Sequence, residues 1–86
     1  MTKIVVYATR TCPYCYRAKQ LLNRKAIAFE EIDVSLDPVR RDEMRKLAGG
    51  INTVPQIFIN GEHIGGCDDL YAMEYDGELD TLLNGN

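Results

Sequence analysis

Two cysteines in this chain of 86 residues stand as Cys12-Pro13-Tyr14-Cys15, and a third stands apart at Cys67. Proline suits the first turn of a helix, where its missing N–H would have had no partner, so Pro13 predicts a helix start. On that helix Cys15 lies about one turn beyond Cys12, near enough to close a small disulfide with it. Cys12 falls at or beside the N-cap, where unpaired N–H groups and the positive end of the helix dipole favour a thiolate. The chemistry of such a pair is thiol–disulfide exchange, with Cys12 as the exposed nucleophile and Cys15 as the more buried resolving thiol. Two inert core cysteines are the bland alternative, which a pair at a strand-to-helix junction fits poorly. Arg10, Arg17 and Lys19 flank the motif and add positive potential. Tyr14 and Tyr16 read as substrate platforms or as packing, and Tyr14, between the thiols, is the better placed to line a site.

Two other stretches carry chemistry. Thr53-Val54-Pro55 precedes an apolar run, and a proline at the first position of a strand is ordinary punctuation. A cis Val54-Pro55 bond would instead turn the N–H and C=O of Val54 outward, where an extended peptide could pair with them. The residues alone leave trans as the default. Gly65-Gly66-Cys67-Asp68-Asp69 has two glycines that allow close backbone approach. Free N–H groups of Cys67 and Asp68 would receive a carboxylate, and the side chain of Asp68 or Asp69 an amino group, which together suit an amino-acid zwitterion. The plain alternative is a Gly-Gly turn with an aspartate cap, and Cys67 itself reads as a small apolar packing residue. His63, the single histidine, forms H-x3-C with Cys67, and with Cys12 and Cys15 makes four residues of zinc-ligating type. Its place just after a hairpin turn suits a solvated strand histidine better, so zinc is the lesser reading.

These residues need elements to hold them. Residues 4–7 form a β-branched and aromatic run, a strand covered on both faces. Tyr14, Ala18, Leu21 and Leu22 then recur at helical spacing. Residues 28–34 alternate, with Ala28, Ile32 and Val34 on one face and Glu31 and Asp33 on the other. Asp37-Pro38 reads as an N-cap and first helical residue. Val39, Met44, Leu47 and Ala48 supply the buried side of that helix, residues 40–46 its solvated charges, and Gly49-Gly50 its end. Residues 56–60 form a short strand that Asn60-Gly61 turns into a hairpin. Gly65-Gly66 breaks the return strand, and Asp68 or Asp69 caps a helix carrying Leu70 and Met73. A last turn after Asp76-Gly77 contributes Leu79, Leu82 and Leu83. The order implies an α/β protein: four strands in a mixed sheet, helices on both faces, and a right-handed first crossover.

Composition bounds the partners. Residues 1–86 suffice for one domain and no more. Ten Lys and Arg against thirteen Asp and Glu give a net charge of −3, the wrong sign for a nucleic-acid backbone. The longest apolar stretch, residues 4–8, is far short of the roughly 18 residues that span a bilayer and of the roughly 7–15 in a secretory core. The expectation is a protein of the reducing cytosol, where Cys-x-x-Cys is catalytic or metal-binding.

Taken together, Cys-Pro-Tyr-Cys at 12–15, Thr-Val-Pro-Gln-Ile-Phe-Ile at 53–59 and Gly-Gly-Cys-Asp-Asp at 65–69 resemble the dithiol glutaredoxins of the small bacterial type, over essentially the whole chain. The resemblance implies a thioredoxin fold, β-α-β-α-β-β-α with a short C-terminal helix, and a cis proline at Pro55. It implies glutathione as co-substrate, with no permanently bound cofactor or metal, laid along Thr53 and Val54. The γ-glutamyl end would be held by Cys67 and Asp68, and the candidate glutathione site also includes Arg10, Tyr14, Pro55 and Gly66. Cys12 would be the nucleophile and Cys15 the resolving thiol. The implied substrates are disulfide-containing or glutathionylated proteins, ribonucleotide reductase among them, acted on by a cytoplasmic monomer. Two departures stand out. Thr9 occupies the position where the family usually has a lysine, with Arg10 the neighbouring cation that would compensate. Ile51-Asn52 stands where relatives often carry arginine. Each lost contact to a charged group would weaken glutathione binding by about 1 kcal/mol. Two other readings compete: a glutaredoxin-like donor reduced by thioredoxin reductase, disfavoured by residues 65–69, and an iron–sulfur or zinc-binding module, disfavoured by the Pro-Tyr pair between the cysteines.

Overall fold

The computed structural model describes residues 3–84. Its centre is β1 (Ile4–Ala8), buried at every position but Val5, which is half-buried. β1 runs parallel to β2 (Glu30–Asp33) and antiparallel to β3 (Gln56–Ile59), and β3 pairs antiparallel with β4 (Glu62–Gly65). The sheet order is therefore β2-β1-β3-β4. Four helices complete the chain: α1 (Pro13–Arg24), α2 (Pro38–Leu47), α3 (Cys67–Tyr75) and α4 (Glu78–Asn84). This is the mixed sheet and the element order expected from the sequence.

Successive strand residues face opposite sides, and the two faces of β1 are covered unequally. Ile4, Val6 and Ala8 join Ile57 and Ile59 of β3 under Cys15, Ala18, Leu21 and Leu22 of α1, Leu70 of α3 and Leu79 of α4. On the other face Tyr7 and Phe58, whose rings meet edge-on at 5.6 Å, pack with Val34, Met44 and Ala48. The thiols therefore sit on the thick side of the sheet. Lys25, at the end of α1, ties this side together by pairing with Glu74 of α3 at 2.9 Å and Asp80 of α4 at 2.6 Å.

Several expected core positions are corrected. Val39 and Leu47 are 70% and 59% exposed. At 100° per residue the face toward the sheet runs through Arg41, Met44 and Ala48, which places Val39 on the opposite side and Leu47 on the flank. Tyr14 is 55% exposed, because the buried stripe of α1 runs through Cys15, Ala18, Leu21 and Leu22. Ala28 is exposed and precedes the strand. Ala26, in the left-handed region at φ 57, turns the chain so that Ile27 and Phe29 pack inward. Glu31 follows them onto the α1 side and pairs with Lys19 at 2.8 Å. The side chains of Leu82 and Leu83 lie outside the described residues.

The hairpin turns as expected, with Asn60 at φ 53 and Gly61 at φ 83, the double positive φ of a type I′ turn. At the β4–α3 junction neither Asp68 nor Asp69 is the N-cap residue. Gly66 takes that position, and its N–H donates to Asp69 Oδ2 at 2.9 Å, three residues into the helix. The carboxylate rests where a side chain on Gly65 would go. Gly65 has φ +125, and a Cβ there would lie 2.2 Å from Asp69 Oδ2. Gly65→Ala is therefore expected to destabilise the protein by about 2 kcal/mol or more, from backbone strain and loss of the cap. In a double-mutant cycle read by thermal melting, adding Asp69→Ala should cost less in the Gly65→Ala background than in the parent.

Candidate active site

Three segments meet at one end of the sheet: the start of α1, the loop before β3, and the β4–α3 junction. Cys12 is the N-cap of α1, with extended backbone at φ −105 and ψ 110. Its C=O accepts the first helical hydrogen bond from the Tyr16 N–H at 3.1 Å, and its sulfur accepts from the Cys15 N–H, also at 3.1 Å. Pro13 removes one of the donors that a helix start leaves unpaired. The half-buried Cys12 thiol points across the junction to the carbonyl oxygen of Val54, 3.6 Å away.

Cys15 is fully buried against β1 and α3. Burial pushes its thiol up from an ordinary 9.0 to about 12, reinforced by its hydrogen bond with Cys12 and opposed by the Thr9 backbone and by Lys19. Cys67 is buried in the same cluster, as expected of a small apolar residue, and burial followed by the Asp68 charge also pushes its thiol up.

The loop before β3 carries a cis bond between Val54 and Pro55 in place of the trans default, and the Val54 carbonyl accepts from the Cys12 thiol. Arg41 pins the loop from α2, donating to Asn52 Oδ1 at 3.1 Å and to the Asn52 carbonyl at 2.8 Å. Facing the loop, the first N–H groups of α3, on Cys67 and Asp68, have no intrahelical partner. Between the two segments lies a groove of about 470 Å³, within the range of small-ligand sites, with Tyr14 and Ile51 at its margins, residues 53–56 along one wall and residues 65–69 along the other.

Of the residues expected here, Tyr14, Thr53, Val54, Pro55, Gly66, Cys67 and Asp68 line the groove, and Arg10 does not. The Arg10 guanidinium turns to β2 and pairs with Asp33 at 2.8 Å. Hydrogen bonds from Ser35 and then from Arg10 hold the Asp33 carboxyl down at about 2. Lys19 is likewise engaged by Glu31. The cation remaining near the thiols among the described residues is Arg17, 5.9 Å from the Tyr14 ring and close enough to oppose in part the upward push on the Cys67 thiol.

Gln56 is the residue that sequence reasoning missed. It is 2% exposed, yet it lines the groove and bonds to Thr53 and His63. The available signal was a lone amide heading the otherwise apolar run Gln56–Ile59. His63 turns its Nε2 to Gln56 and its ring to Phe58, with centroids 5.1 Å apart. No group of three or more potential ligands gathers for a metal ion among the described residues. Nor is any described helix long and apolar enough to cross a membrane.

A thiol pair at a helix start, facing a cis-proline loop at the end of this sheet, defines a thioredoxin-fold dithiol protein. The glutaredoxin family model matches residues 4–64. Glutaredoxin 3 of Escherichia coli (strain K12) is 51% identical over 83 residues, covering 96% of this chain and 99% of that protein. The solution structure of glutaredoxin from Brucella melitensis superposes with a TM-score of 0.84 at 54% identity, over 96% of this chain and 89% of that one. The crystal structure of the buckwheat glutaredoxin–glutathione complex does so with 0.88 at 30% identity, over 98% and 78%. The chain belongs to the glutaredoxin family, the glutathione-dependent thiol–disulfide oxidoreductases.

The unequal thiol environments can be tested directly. Iodoacetamide between pH 7 and 9 should label Cys12 in the native protein and leave Cys15 unmodified, as read by mass spectrometry of its peptides. In an unfolded chain Cys15 would ionise near 9.0, whereas the folded state keeps its proton to about 12. The unfolded state therefore binds fewer protons in that window, and stability should fall as pH rises through it. A Cys15→Ala variant should show a shallower alkaline loss.

Proposed function

We propose that Cys12 is the nucleophile and Cys15 the resolving thiol in glutathione-dependent reduction of protein disulfides and glutathionylated proteins. The observation that carries this reading is the Cys12 sulfur at the start of α1, 3.6 Å from a Val54 carbonyl that β3 leaves unpaired. A peptide disulfide lying along Thr53 and Val54, as an added strand would, brings its sulfur to that thiol.

In the first step the Cys12 thiolate attacks the glutathione sulfur of a protein–glutathione mixed disulfide. The Cys12–glutathione disulfide forms, and the protein leaves as its thiolate. A second glutathione thiolate then attacks that disulfide, releasing oxidised glutathione and restoring Cys12. With a protein disulfide, the Cys12–protein intermediate is instead resolved by Cys15, and the resulting Cys12–Cys15 disulfide is reduced by two glutathiones. Burial is the main reason the Cys15 thiol is pushed up, reinforced by its hydrogen bond with Cys12, a bond that a Cys12 disulfide with substrate would replace.

The far end of the groove suits the γ-glutamyl zwitterion. The N–H groups of Cys67 and Asp68 face its carboxylate, with the positive helix end behind them. Asp69 is engaged by Gly66, which leaves the exposed Asp68 to receive the ammonium. The other end of glutathione carries a second carboxylate, and there the groove wall has neither the lysine replaced by Thr9 nor Arg10. We therefore propose a weaker glutathione affinity than relatives that keep that lysine. Protein disulfides, ribonucleotide reductase among them, are the proposed acceptors, approached through the exposed Tyr14, Tyr16 and Ile51 by a cytoplasmic monomer.

Three variants in the glutathione reductase-coupled assay test the roles. Cys12→Ser should be inactive with every substrate, and activity surviving in it would overturn the mechanism. Cys15→Ser should keep deglutathionylation and lose protein-disulfide reduction. Asp68→Ala should raise the KM for glutathione about ten-fold, as expected for a lost charge-assisted contact. Separately, Thr9→Lys should lower that KM several-fold, and no gain would sink the affinity proposal.

A further inference from the structure

Gln56 is the one buried polar side chain in the core of the described residues. Its amide lies 2.9 Å from the Thr53 carbonyl oxygen and 3.2 Å from Thr53 Oγ1 through Nε2, and 2.6 Å from His63 Nε2 through Oε1. The directions follow from donor chemistry. A backbone carbonyl only accepts, so the amide nitrogen faces Thr53 and the amide oxygen faces His63. An amide oxygen also only accepts, so His63 carries a proton on Nε2. The result is a one-way chain from the His63 N–H through Gln56 to Thr53, in which each link polarises the next.

The Thr53–Val54 peptide is trans and planar, so its C=O and N–H point to opposite sides. Holding the Thr53 carbonyl inward on Gln56 turns the Val54 N–H outward into the groove. We propose that Gln56 and His63 are positioning residues for the oxidoreductase reaction: they fix the plane in which Val54 offers its N–H to the substrate backbone. This rests on the reading that the substrate lies along Thr53 and Val54. Packing alone would have been served by an apolar residue at the head of Gln56–Ile59, since a buried amide is costly unless its hydrogen bonds are made. Here both of its ends are bonded, and what they hold is the wall of the groove. Arg41, from α2 on the same face of the sheet as Gln56, grips the preceding carbonyl, on Asn52, at 2.8 Å, so two consecutive carbonyls of this stretch are held.

The test is binding of S-methylglutathione, which cannot exchange, alongside KM and kcat in the coupled assay. Gln56→Leu and His63→Leu should each raise Kd and KM about five-fold, with kcat within about two-fold of the parent, the equivalent of one hydrogen bond. His63→Gln keeps a donor toward Gln56 and should restore values near the parent. Nitrogen-15 NMR of neutral His63 should show the proton on Nε2, and the Val54 amide resonance should move in His63→Leu before ligand is added. Unchanged affinity in folded Leu variants, or a neutral His63 protonated on Nδ1, would overturn the proposal. If Gln56→Leu does not fold, the half-buried His63 position and the tautomer decide it. Asp68→Ala separates the two readings. If Asp68→Ala does not weaken S-methylglutathione binding, the placement of glutathione fails. If it does and the Leu variants do not, only the positioning role falls.

Discussion

At the start of α1 the N–H of Cys15 donates to the sulfur of Cys12, 3.1 Å away, and a cysteine thereby fills the place that serine, threonine, aspartate or asparagine usually take at a helix N-cap. A hydroxyl or carboxylate would satisfy the helix equally well and could not exchange disulfides. Using sulfur makes the proposed nucleophile part of the helix start, so its direction is fixed by backbone geometry. One turn further on, the same helix drives Cys15 into the core beneath β1. Two chemically identical thiols are thus set apart by environment, one half-buried and pointing to the Val54 carbonyl, the other fully buried. The thick side of the sheet, closed by α1, α3 and α4, maintains that difference.

Charge is arranged around this pair mainly by removal. Arg10 and Lys19, cationic neighbours in sequence, are spent on Asp33 and Glu31 at the β2 edge, which leaves Arg17 on Tyr14 as the nearby cation. Exposed pairs of this kind add little to stability. Their consequence is local: the site does not rest on a basic patch, in keeping with an overall charge of −3. In the proposed reading, anion recognition falls instead to the N–H groups that open α3, and cation recognition to Asp68, the aspartate that the cap does not engage.

How much of this was legible follows from the range of each interaction. Local signals carried through: Pro13 starting α1, Asp37 accepting from the Arg40 N–H at the head of α2, Asn60-Gly61 turning the hairpin, and the thiols one turn apart. Positions settled by tertiary packing did not. Val39 and Leu47 obey a helical period but miss the sheet, because α2 crosses it on only one narrow stripe, through Met44 and Ala48. Ala28 fell out because Ala26 resets the chain in a left-handed turn that non-glycine residues rarely adopt. Arg10 was misplaced because its partner Asp33 is brought to it only by the parallel pairing of β1 with β2. Asn60-Gly61 announces the β3–β4 hairpin, but the Gln56–His63 contact runs diagonally across it, from His63 opposite Phe58 to Gln56 two residues back, beside an irregularity in register that no local pattern announces.

The groove that results is built chiefly from main chain: the Val54 backbone on one wall and the Cys67 and Asp68 N–H groups on the other. Main-chain donors are indifferent to which side chain they belong to, so Cys67 contributes its amide while its thiol stays buried. What such a site must control is the orientation of peptide planes, which rotate freely unless held. Asp69 holds the plane entering Gly66, and Gln56 and Arg41 hold the planes that end in the Thr53 and Asn52 carbonyls. Each of these polar side chains satisfies a backbone group in a fixed direction, and together they make a peptide-recognising edge rigid without extending the sheet. On the proposed reading the ligand is a peptide with a charged amino-acid end, and the thiol that reacts with it stands beside the edge. That is where the N-cap of α1 puts Cys12.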